Sequence, residues 1–324
     1  MLPKAHLHLH LVGAMRPSTL RELADRAGVP VPPPLPVGVA GSWADFQTRY
    51  DTVRSVIRTS EDIVRVVSEA AADDAADGCG WLEIQVDPTS YAPMFGGVRG
   101  AVEAVLAAAA QACIPTGVVV ASSWARSGAH AVALARVAAA YADDGVVGFG
   151  LSNDERLGRV ADFEPAFRIA AEAGLLAVPH SGFYTGADHV RDCVERLGAR
   201  RIGHGTSVAT DPQVLELLRE RGVGLEVCPT SYPPLGVHEL AAVPVPALLD
   251  AGVAVALASD DPLLFGTGLA GQYEICQNLL GLSDSRLAAL AEHSICCSAA
   301  PPQIRDELLL GVRGWLEAAL FRSI

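Results

Sequence analysis

The sequence lacks the long apolar stretches and the leader pattern that mark membrane and exported proteins. No uninterrupted apolar run in its 324 residues approaches 18 residues, the length that suggests a transmembrane helix. The N-terminus has no charged region followed by an apolar stretch and a cleavage site. We therefore expect a soluble, cytoplasmic protein without a membrane partner.

Positive charge is also scarce. The chain has 24 lysines and arginines against 37 aspartates and glutamates, which gives a net charge of −13, and Lys4 is its only lysine. This balance opposes binding to nucleic acid phosphates and to anionic membrane surfaces. We predict no nucleic acid partner and expect a neutral or cationic small molecule as substrate. The sequence leaves open whether the protein forms a homo-oligomer.

Cysteine pairs and phosphate-binding loops are missing as well. The seven cysteines are odd in number and form no C-x-x-C pair, which suits a reducing compartment and argues against structural zinc held by cysteines. The chain has no G-x-x-x-x-G-K-[ST] loop and no internal repeat. Half of the residues are hydrophobic, so a chain of this length can bury a sizeable core.

Short apolar runs alternate with longer helical patterns along the whole chain. The predicted strands cover residues 5–10, 80–87, 116–122, 146–151, 175–180, 200–204, 223–228 and 253–259. The predicted helices between them cover residues 61–77, 99–112, 128–142, 163–173, 187–197, 211–221 and 244–251. Glycines stand where a helix would end before the next strand, at positions 78, 145, 174, 222 and 252.

This alternation predicts an α/β fold, a single (β/α)8 TIM barrel domain over residues 1–324. Extra helices are expected after the first strand, at about residues 43–58. A doubly wound open sheet would show the same alternation. Polar residues at the predicted strand ends favour the barrel, because the ends of barrel strands ring one mouth whereas an open sheet spreads them across its width. These residues are His8, His10, Asn153, Asp154, His180, His204, Asp260 and Asp261.

Three histidines, His6, His8 and His10, alternate with leucines along the first predicted strand. Alternate side chains of a strand share one face, so the three imidazoles should lie together. Because neutral imidazole is a common metal ligand, the pattern predicts a metal site. The alternatives are a crowded polar strand end and the remnant of an expression tag. The strand periodicity and the residues that follow, 13–17, argue against a tag.

Four segments resemble the adenosine deaminase family of metal-dependent hydrolases, and the resemblance runs nearly end to end. They are K-A-H-L-H-L-H-L-V-G-A at residues 4–14, R-I-G-H-G at 201–205, L-E-V-C-P-T-S at 225–231 and S-D-D-P at 259–262. The resemblance implies that one zinc ion, with a water or hydroxide completing its shell, is bound by His8, His10, His180 and Asp260. It also implies that His204 and Asp261 position and deprotonate that water.

The chemistry of these side chains agrees with the implied roles. Zinc accepts imidazole and carboxylate ligands and lowers the pKa of a bound water to about 7. A neighbouring carboxylate and imidazole can take the proton and pass it to a departing nitrogen. His204 lies between two glycines, which leaves space for a ligand. Asp261 precedes Pro262 and therefore also fits the role of a helix cap.

The chain departs from the family after the fifth strand. Where the family has His-Ala-Gly-Glu, this chain has His180-Ser181-Gly182-Phe183. In the family the glutamate protonates a ring nitrogen of the purine as water adds to the neighbouring carbon, and phenylalanine has no proton to donate. Val12 replaces an acidic residue that contacts the nucleoside sugar, and Tyr232 replaces the usual asparagine. His6 stands where glutamate is common.

The face of the strand places His6 below the metal pair, where it would support the ligands or fill the barrel. Phe183, Tyr232 and Val12 predict a substrate pocket that is more apolar and aromatic than that of the family, and Asn153 is a further predicted substrate contact. Such a pocket suits a planar or cationic nitrogen compound: an amidine, an aminoheterocycle or a modified base.

Three interpretations of the function remain open. In the first, the protein is an active zinc hydrolase that uses a metal-bound hydroxide to deaminate or cleave a C–N bond of a substrate that needs no external ring protonation. Either the substrate is already cationic, or the proton comes from His204 or the leaving group. In the second, it is an inactive deaminase-like protein that binds a ligand or partner. In the third, the same metal supports elimination, hydration or isomerisation. The retention of all four ligands with His204 and Asp261 favours the first.

Overall fold

The computed structural model describes residues 1–35 and 41–322. Eight parallel strands form one sheet in sequence order. They are β1 (Lys4–His10), β2 (Cys79–Val86), β3 (Thr116–Ser123), β4 (Val146–Ser152), β5 (Leu176–Ser181), β6 (Arg201–His204), β7 (Gly224–Val227) and β8 (Ala254–Leu257).

Helices follow or precede every strand. In chain order they are α1 (Pro17–Ala27), α2 (Trp43–Arg54), α3 (Ser60–Ala76), α4 (Val98–Ala109), α5 (Gly128–Ala139), α6 (Val160–Glu172), α7 (Ala187–Arg196), α8 (Pro212–Arg221), α9 (Val245–Asp250), α10 (Pro262–Phe265), α11 (Leu269–Asn278), α12 (Asp284–Cys297) and α13 (Pro302–Arg322). Among the described helices, none combines the length and the apolar character that a bilayer span requires.

The architecture is the predicted (β/α)8 barrel. Each predicted strand overlaps an observed strand, and α2 falls inside the region where an extra helix was expected after the first strand. The five glycines predicted to end helices before strands, at positions 78, 145, 174, 222 and 252, all have positive φ, from 62° to 106°. Glycine takes this left-handed conformation without strain, which explains the abrupt change from helix to strand.

The strands are buried on both faces, as expected for parallel strands packed between a filled barrel and a layer of helices. In β3, for example, Val118, Val119 and Val120 are each at most 1% exposed. All seven cysteines are free.

The barrel closes between β1 and the segment that follows β8. His10 donates its backbone N–H to the carbonyl of Asp260 at 3.0 Å, and Asp260 donates its own N–H to the carbonyl of His8 at 3.1 Å. Leu9 and Asp260 form a parallel bridge at the same point. Closure of the barrel therefore places Asp260 directly beside the two histidines.

The side chain of His6 does not share a face with His8 and His10, so the prediction that it lies below the metal pair is wrong. His6 pairs with Leu82 and Leu9 pairs with Ile84, so β1 contains one extra residue between these two pairs. An extra residue of this kind reverses the alternation of side chains. His6 consequently points towards the surrounding helices, where its Nδ1 lies 2.8 Å from Oδ2 of Asp74 on α3.

His6 nevertheless supports the mouth of the barrel from outside. Its Nε2 accepts the backbone N–H of Ser259 at 3.1 Å. An Nε2 that accepts leaves the proton on Nδ1, which can then donate to Asp74. Because Ser259 precedes Asp260, His6 fastens the segment that carries Asp260 to helix α3.

Candidate active site

Four side chains at the barrel mouth bring their polar atoms to one point. The Nε2 atom of His10 lies 3.2 Å from Nε2 of His8 and 3.2 Å from Nε2 of His180. Oδ1 of Asp260 lies 3.3 Å from Nε2 of His10 and 3.6 Å from Nε2 of His8. The four residues are each at most 8% exposed. The structure thus brings together all four predicted metal ligands.

The spacing of these atoms fits a zinc ion. Zinc–nitrogen and zinc–oxygen bonds of about 2.0–2.1 Å around a tetrahedron place neighbouring ligand atoms about 3.3 Å apart. Three imidazoles and one carboxylate are also a donor set that zinc accepts. Gly203 makes room for two of the rings, because a Cβ there would lie 3.0 Å from Nδ1 of His180 and 3.0 Å from Cε1 of His8. The residues present therefore fit the ion that the family resemblance implies.

A buried ionic network supports His8 from inside the barrel. Oε2 of Glu226 lies 3.0 Å from Nδ1 of His8, so the ring can donate through Nδ1 and keep the lone pair of Nε2 for a metal. The other oxygen of Glu226 accepts from Nε of Arg201 at 2.6 Å. Arg201 also pairs with Glu83, and all these side chains are nearly inaccessible to solvent.

The remaining two histidines are held by uncharged groups. The side-chain amide of Gln85 lies 3.4 Å from Nδ1 of His10. The indole Nε1 of Trp124 donates to the backbone carbonyl of His180 at 3.0 Å. Trp124 is fully buried, so this hydrogen bond fixes the end of β5 in a rigid environment.

The electrostatics of the cluster suit neutral imidazoles beside an ionised carboxylate. Burial lowers the pKa of His10 and of His180. Burial also opposes the charge on Asp260, but hydrogen bonds from His10 and His8 hold its pKa well below the usual range. His8 differs: burial acts against its charge, yet Asp260 and Glu226 together raise its pKa to about 10. Metal ligands must be deprotonated at the coordinating atom, and three of the four side chains favour that state.

His204 and Asp261 lie at the edge of the four-ligand cluster. Nε2 of His204 is 3.9 Å from Oδ2 of Asp260, and burial lowers the pKa of His204 to about 3. Burial and the neighbouring Asp260 raise the pKa of Asp261 well above the usual range. Nδ1 of His204 and Oδ1 of Asp261 are buried without a hydrogen-bond partner within the described part of the chain. Both side chains line the cavity above the cluster.

Backbone strain is concentrated in this site. In the described part of the chain, the non-glycine residues with positive φ are Asn153 at 74°, His204 at 69° and Asp260 at 60°. Left-handed backbone costs about 1–3 kcal/mol for residues other than glycine and tends to occur at functional sites. All three residues line the same cavity.

The wall of the cavity combines aromatic rings with polar and charged side chains. Helix α2 and the loop after β5 supply five rings, from Trp43, Phe46, Tyr50, Phe183 and Tyr184. The ring of Phe183 lies 4.6 Å from that of His204 and 4.7 Å from that of Tyr184. Four carboxylates also line the cavity, and Arg54 is the one lysine or arginine among its lining residues in the described ranges. The carboxylates belong to Asp87, Glu155, Asp260 and Asp261.

The predicted substrate contacts divide into two pairs. Phe183 and Asn153 line the cavity, and the amide of Asn153 donates to Oε1 of Gln47 on α2 at 3.3 Å. Val12 and Tyr232 do not reach its wall. Val12 packs in the hydrophobic core, and the fully buried ring of Tyr232 lies behind Phe183 at 5.6 Å. The hydroxyl oxygen of Tyr232 accepts the backbone N–H of Cys228.

Glu155 holds the loop that carries Phe183. Its Oε1 atom accepts the backbone N–H groups of Phe183, Tyr184 and Thr185 at 2.8, 2.8 and 2.7 Å. The hydroxyl of Thr185 donates to the same oxygen at 2.6 Å. Glu155 follows β4 and is only 2% exposed, so one buried carboxylate connects the ends of two neighbouring strands.

Several residues of the site were not predicted from the sequence. Glu226 and Arg201 could have been found, because each is a charged residue within a strand that is predicted to be buried. A buried charge needs a partner. Glu155 and the three rings of α2 carried no such signal. Their roles depend on how the loops and the extra helix fold over the barrel mouth, which periodicity does not predict.

Comparison with known proteins identifies close relatives over the whole chain. The adenosine deaminase family pattern matches residues 3–315. A Streptomyces virginiae protein with the provisional name adenosine/adenine deaminase is 51% identical, over 98% of this chain and 97% of its own length. The aminodeoxyfutalosine deaminase of Streptomyces avermitilis is 35% identical, over 97% of this chain and 92% of its own. The crystal structure of adenine deaminase from Arthrobacter aurescens superposes with a TM-score of 0.90 at 28% identity, covering 98% of this chain and 100% of that one.

Proposed function

Since the chain belongs to the adenosine deaminase family and is a hydrolase of C–N bonds, we propose that it is a zinc-dependent enzyme that deaminates a nitrogen compound other than adenosine. The proposed substrate is an aminoheterocycle, an amidine or a modified base. The observation that carries the proposal is the convergence of three imidazole nitrogens and one carboxylate oxygen, with Nε2 of His10 within 3.2–3.3 Å of the other three. His204 and Asp261 line the same cavity.

The ligands of the ion are proposed to be His8, His10, His180 and Asp260. A bound zinc ion would act as a Lewis acid and lower the pKa of the water molecule that it binds to about 7. The reaction replaces the amino group of the substrate by the oxygen of one water and releases the nitrogen as ammonia. The protein must therefore orient a water towards the reacting carbon and move one of its protons to the departing nitrogen.

His204 and Asp261 are the proposed carriers of that proton. Both face the cavity next to Asp260, and each has a polar atom without a protein partner in the described part of the chain. An imidazole and a carboxylate can each accept a proton from water and release it to an amine. The short distance between His204 and Asp260, 3.9 Å, keeps the imidazole close to the site of reaction.

The identity of residue 183 argues against adenosine as the substrate. Phe183 lies against His204 on the cavity wall, where it offers a flat apolar surface and no proton. Loss of a positioned general acid costs a factor of about 10²–10⁴ in rate. A substrate that already carries the required proton avoids this loss. The names of the relatives do not decide the substrate, because one names adenosine or adenine, one adenine and one aminodeoxyfutalosine.

The test is an activity screen with the zinc-supplemented full-length chain. Aminopurines, aminopyrimidines, pterins, amidines and cyclic amides are supplied in turn, and ammonia release and product mass are measured. We expect turnover of at least one aminoheterocycle or amidine and absent or very slow deamination of adenosine. Adenosine turnover at the highest rate of the panel would contradict the proposed substrate class. Failure of every compound, together with absence of bound metal, would contradict the hydrolase itself.

A further inference from the structure

Glu155 lines the substrate cavity, and only one of its two carboxylate oxygens is bonded to the loop. Its Oε1 receives four hydrogen bonds from residues 183–185. No hydrogen bond joins Oε2 to a residue in the described ranges. The side chain is 2% exposed, so bulk water contributes little to the solvation of this oxygen.

No lysine, arginine or histidine of the described chain forms an ion pair with this carboxylate, although the charge of Arg156 is near enough to interact with it. The neighbouring Arg156 is committed to Asp154, with hydrogen bonds of 2.8 and 2.7 Å to its two oxygens. His189 lies close enough to interact with the charge of Glu155, but it forms no ion pair with it, and burial lowers the pKa of His189. A buried carboxylate without a cationic partner is costly, and buried charges are normally paired. A ligand that brings a cation would supply the missing partner.

The surroundings of Glu155 also favour a cation. The cavity wall carries the rings of Trp43, Phe46, Tyr50, Phe183 and Tyr184, whose faces attract positive charge. Glu155 bonds directly to the backbone of Phe183 and Tyr184, two of the residues whose rings line the cavity. A cationic ring bound in this cavity would therefore share it with both the aromatic rings and the carboxylate of Glu155.

We propose that Glu155 pairs through Oε2 with a cationic N–H group of the substrate, so that the enzyme selects amidinium-type cations over neutral aminoheterocycles. This inference rests on the proposed function, because it concerns the substrate of the same site. The residue that selects cationic over neutral substrates is then Glu155, on the loop after β4, and not residue 183. The substrate then enters with the ring proton that Phe183 cannot supply.

Two probes of nearly equal shape test the selection. In 2-aminobenzimidazole a ring N–H stands where 2-aminobenzothiazole has sulfur, and only the benzimidazole is substantially protonated near neutral pH. Binding to the zinc-supplemented protein is measured by calorimetry at neutral pH. We expect the wild-type protein to bind the benzimidazole about 10- to 100-fold more tightly than the benzothiazole. This ratio corresponds to the free energy of one hydrogen bond to a charged group. Equal affinity of the wild-type protein for both probes would overturn the inference.

Glu155→Gln is the matched variant, because glutamine keeps an Oε1 acceptor for the loop but turns an NH2 donor towards the cavity. We expect the preference to fall to about 3-fold or less. Thr185→Val removes one donor to Oε1 and loosens the loop, and it should retain the wild-type preference. A preference that survives in Glu155→Gln, or that is lost equally in Thr185→Val, contradicts the role of Oε2.

The inference and the proposed function fail in different ways. If the protein binds metal and releases ammonia from neutral heterocycles as readily as from cations, the hydrolase stands and the selection by Glu155 is wrong. If the protein holds no metal and releases no ammonia from any compound of the panel, the proposed function is wrong, whatever the two probes show.

Discussion

The Nε2 atoms of His10 and His180 lie 3.2 Å apart, although 170 residues separate the two histidines in the chain. His10 ends β1 and His180 lies near the end of β5, strands that face each other across a barrel of eight. A metal held between them would therefore connect opposite sides of the barrel mouth. Metal content and the stability of the barrel should change together.

His180→Ala tests that connection. We expect the wild-type protein to carry about one zinc per chain and the variant well under half of that, because one of four ligands is lost. Added zinc should raise the melting temperature of the wild type, since a ligand at 100 times its Kd stabilises a protein by about 2.7 kcal/mol. It should not raise that of the variant. Elemental analysis and thermal unfolding measure the two effects.

The matched control is His130→Ala. His130 lies on α5 and contacts Thr89, away from the four ligands. This variant should bind zinc like the wild type. If the wild-type protein holds well under half a zinc ion per chain after zinc supplementation, the result would count heavily against the proposed metal site.

Glu226→Gln tests the support of His8 by the buried ionic network. The variant keeps the shape of the side chain but loses the charge that orients Nδ1 of His8 and pairs with Arg201. Loss of such a partner typically lowers metal affinity by about 10- to 100-fold. A zinc competition titration measures the change, with the exposed Glu216→Gln as control. Equal affinities of the two variants would show that the network does not tune the ligand.

The sequence could predict the barrel because its alternation of strands and helices is regular, and the resemblance to the family implied the four ligands. Buried strands alternate with helices at a constant spacing, and the strand ends of a barrel meet at one mouth. It could not predict the orientation of His6, since one extra residue in β1 reverses the alternation on which the prediction depended. Nor could the sequence predict that Val12 and Tyr232 do not line the cavity, because the packing of the loops determines which side chains reach its wall.

Phe183→Glu tests the role of the residue that departs from the family. A new carboxylate beside the apolar face of the ligand is costly to bury, so turnover of the native substrate should fall. The same variant should gain a trace of aminopurine deamination, because a potential proton donor is restored. The two rates are compared with those of Phe183→Leu, which stays apolar. Faster native turnover in Phe183→Glu would mean that Phe183 does not contact the substrate.

Gly13→Ala tests the placement of Asp261. A Cβ at residue 13 would lie 2.0 Å from Oδ1 and 2.4 Å from Cα of Asp261, so both the carboxylate and its backbone must move. A displacement of about 1 Å can cost about 10²-fold in rate, and we expect a loss of at least this order. Gly186→Ala is the control, because a Cβ there meets no atom within 4 Å. Wild-type turnover in Gly13→Ala would show that the position of Asp261 is not critical.

The most direct test of the account is turnover and zinc content measured on the same samples of wild type, His204→Ala and Asp261→Ala. Both side chains are assigned to the water and its proton, and neither is assigned to the ion. The account predicts full zinc occupancy in both variants and turnover reduced by about 10²–10⁴-fold. Full occupancy together with near wild-type turnover in both variants would contradict the proposed mechanism.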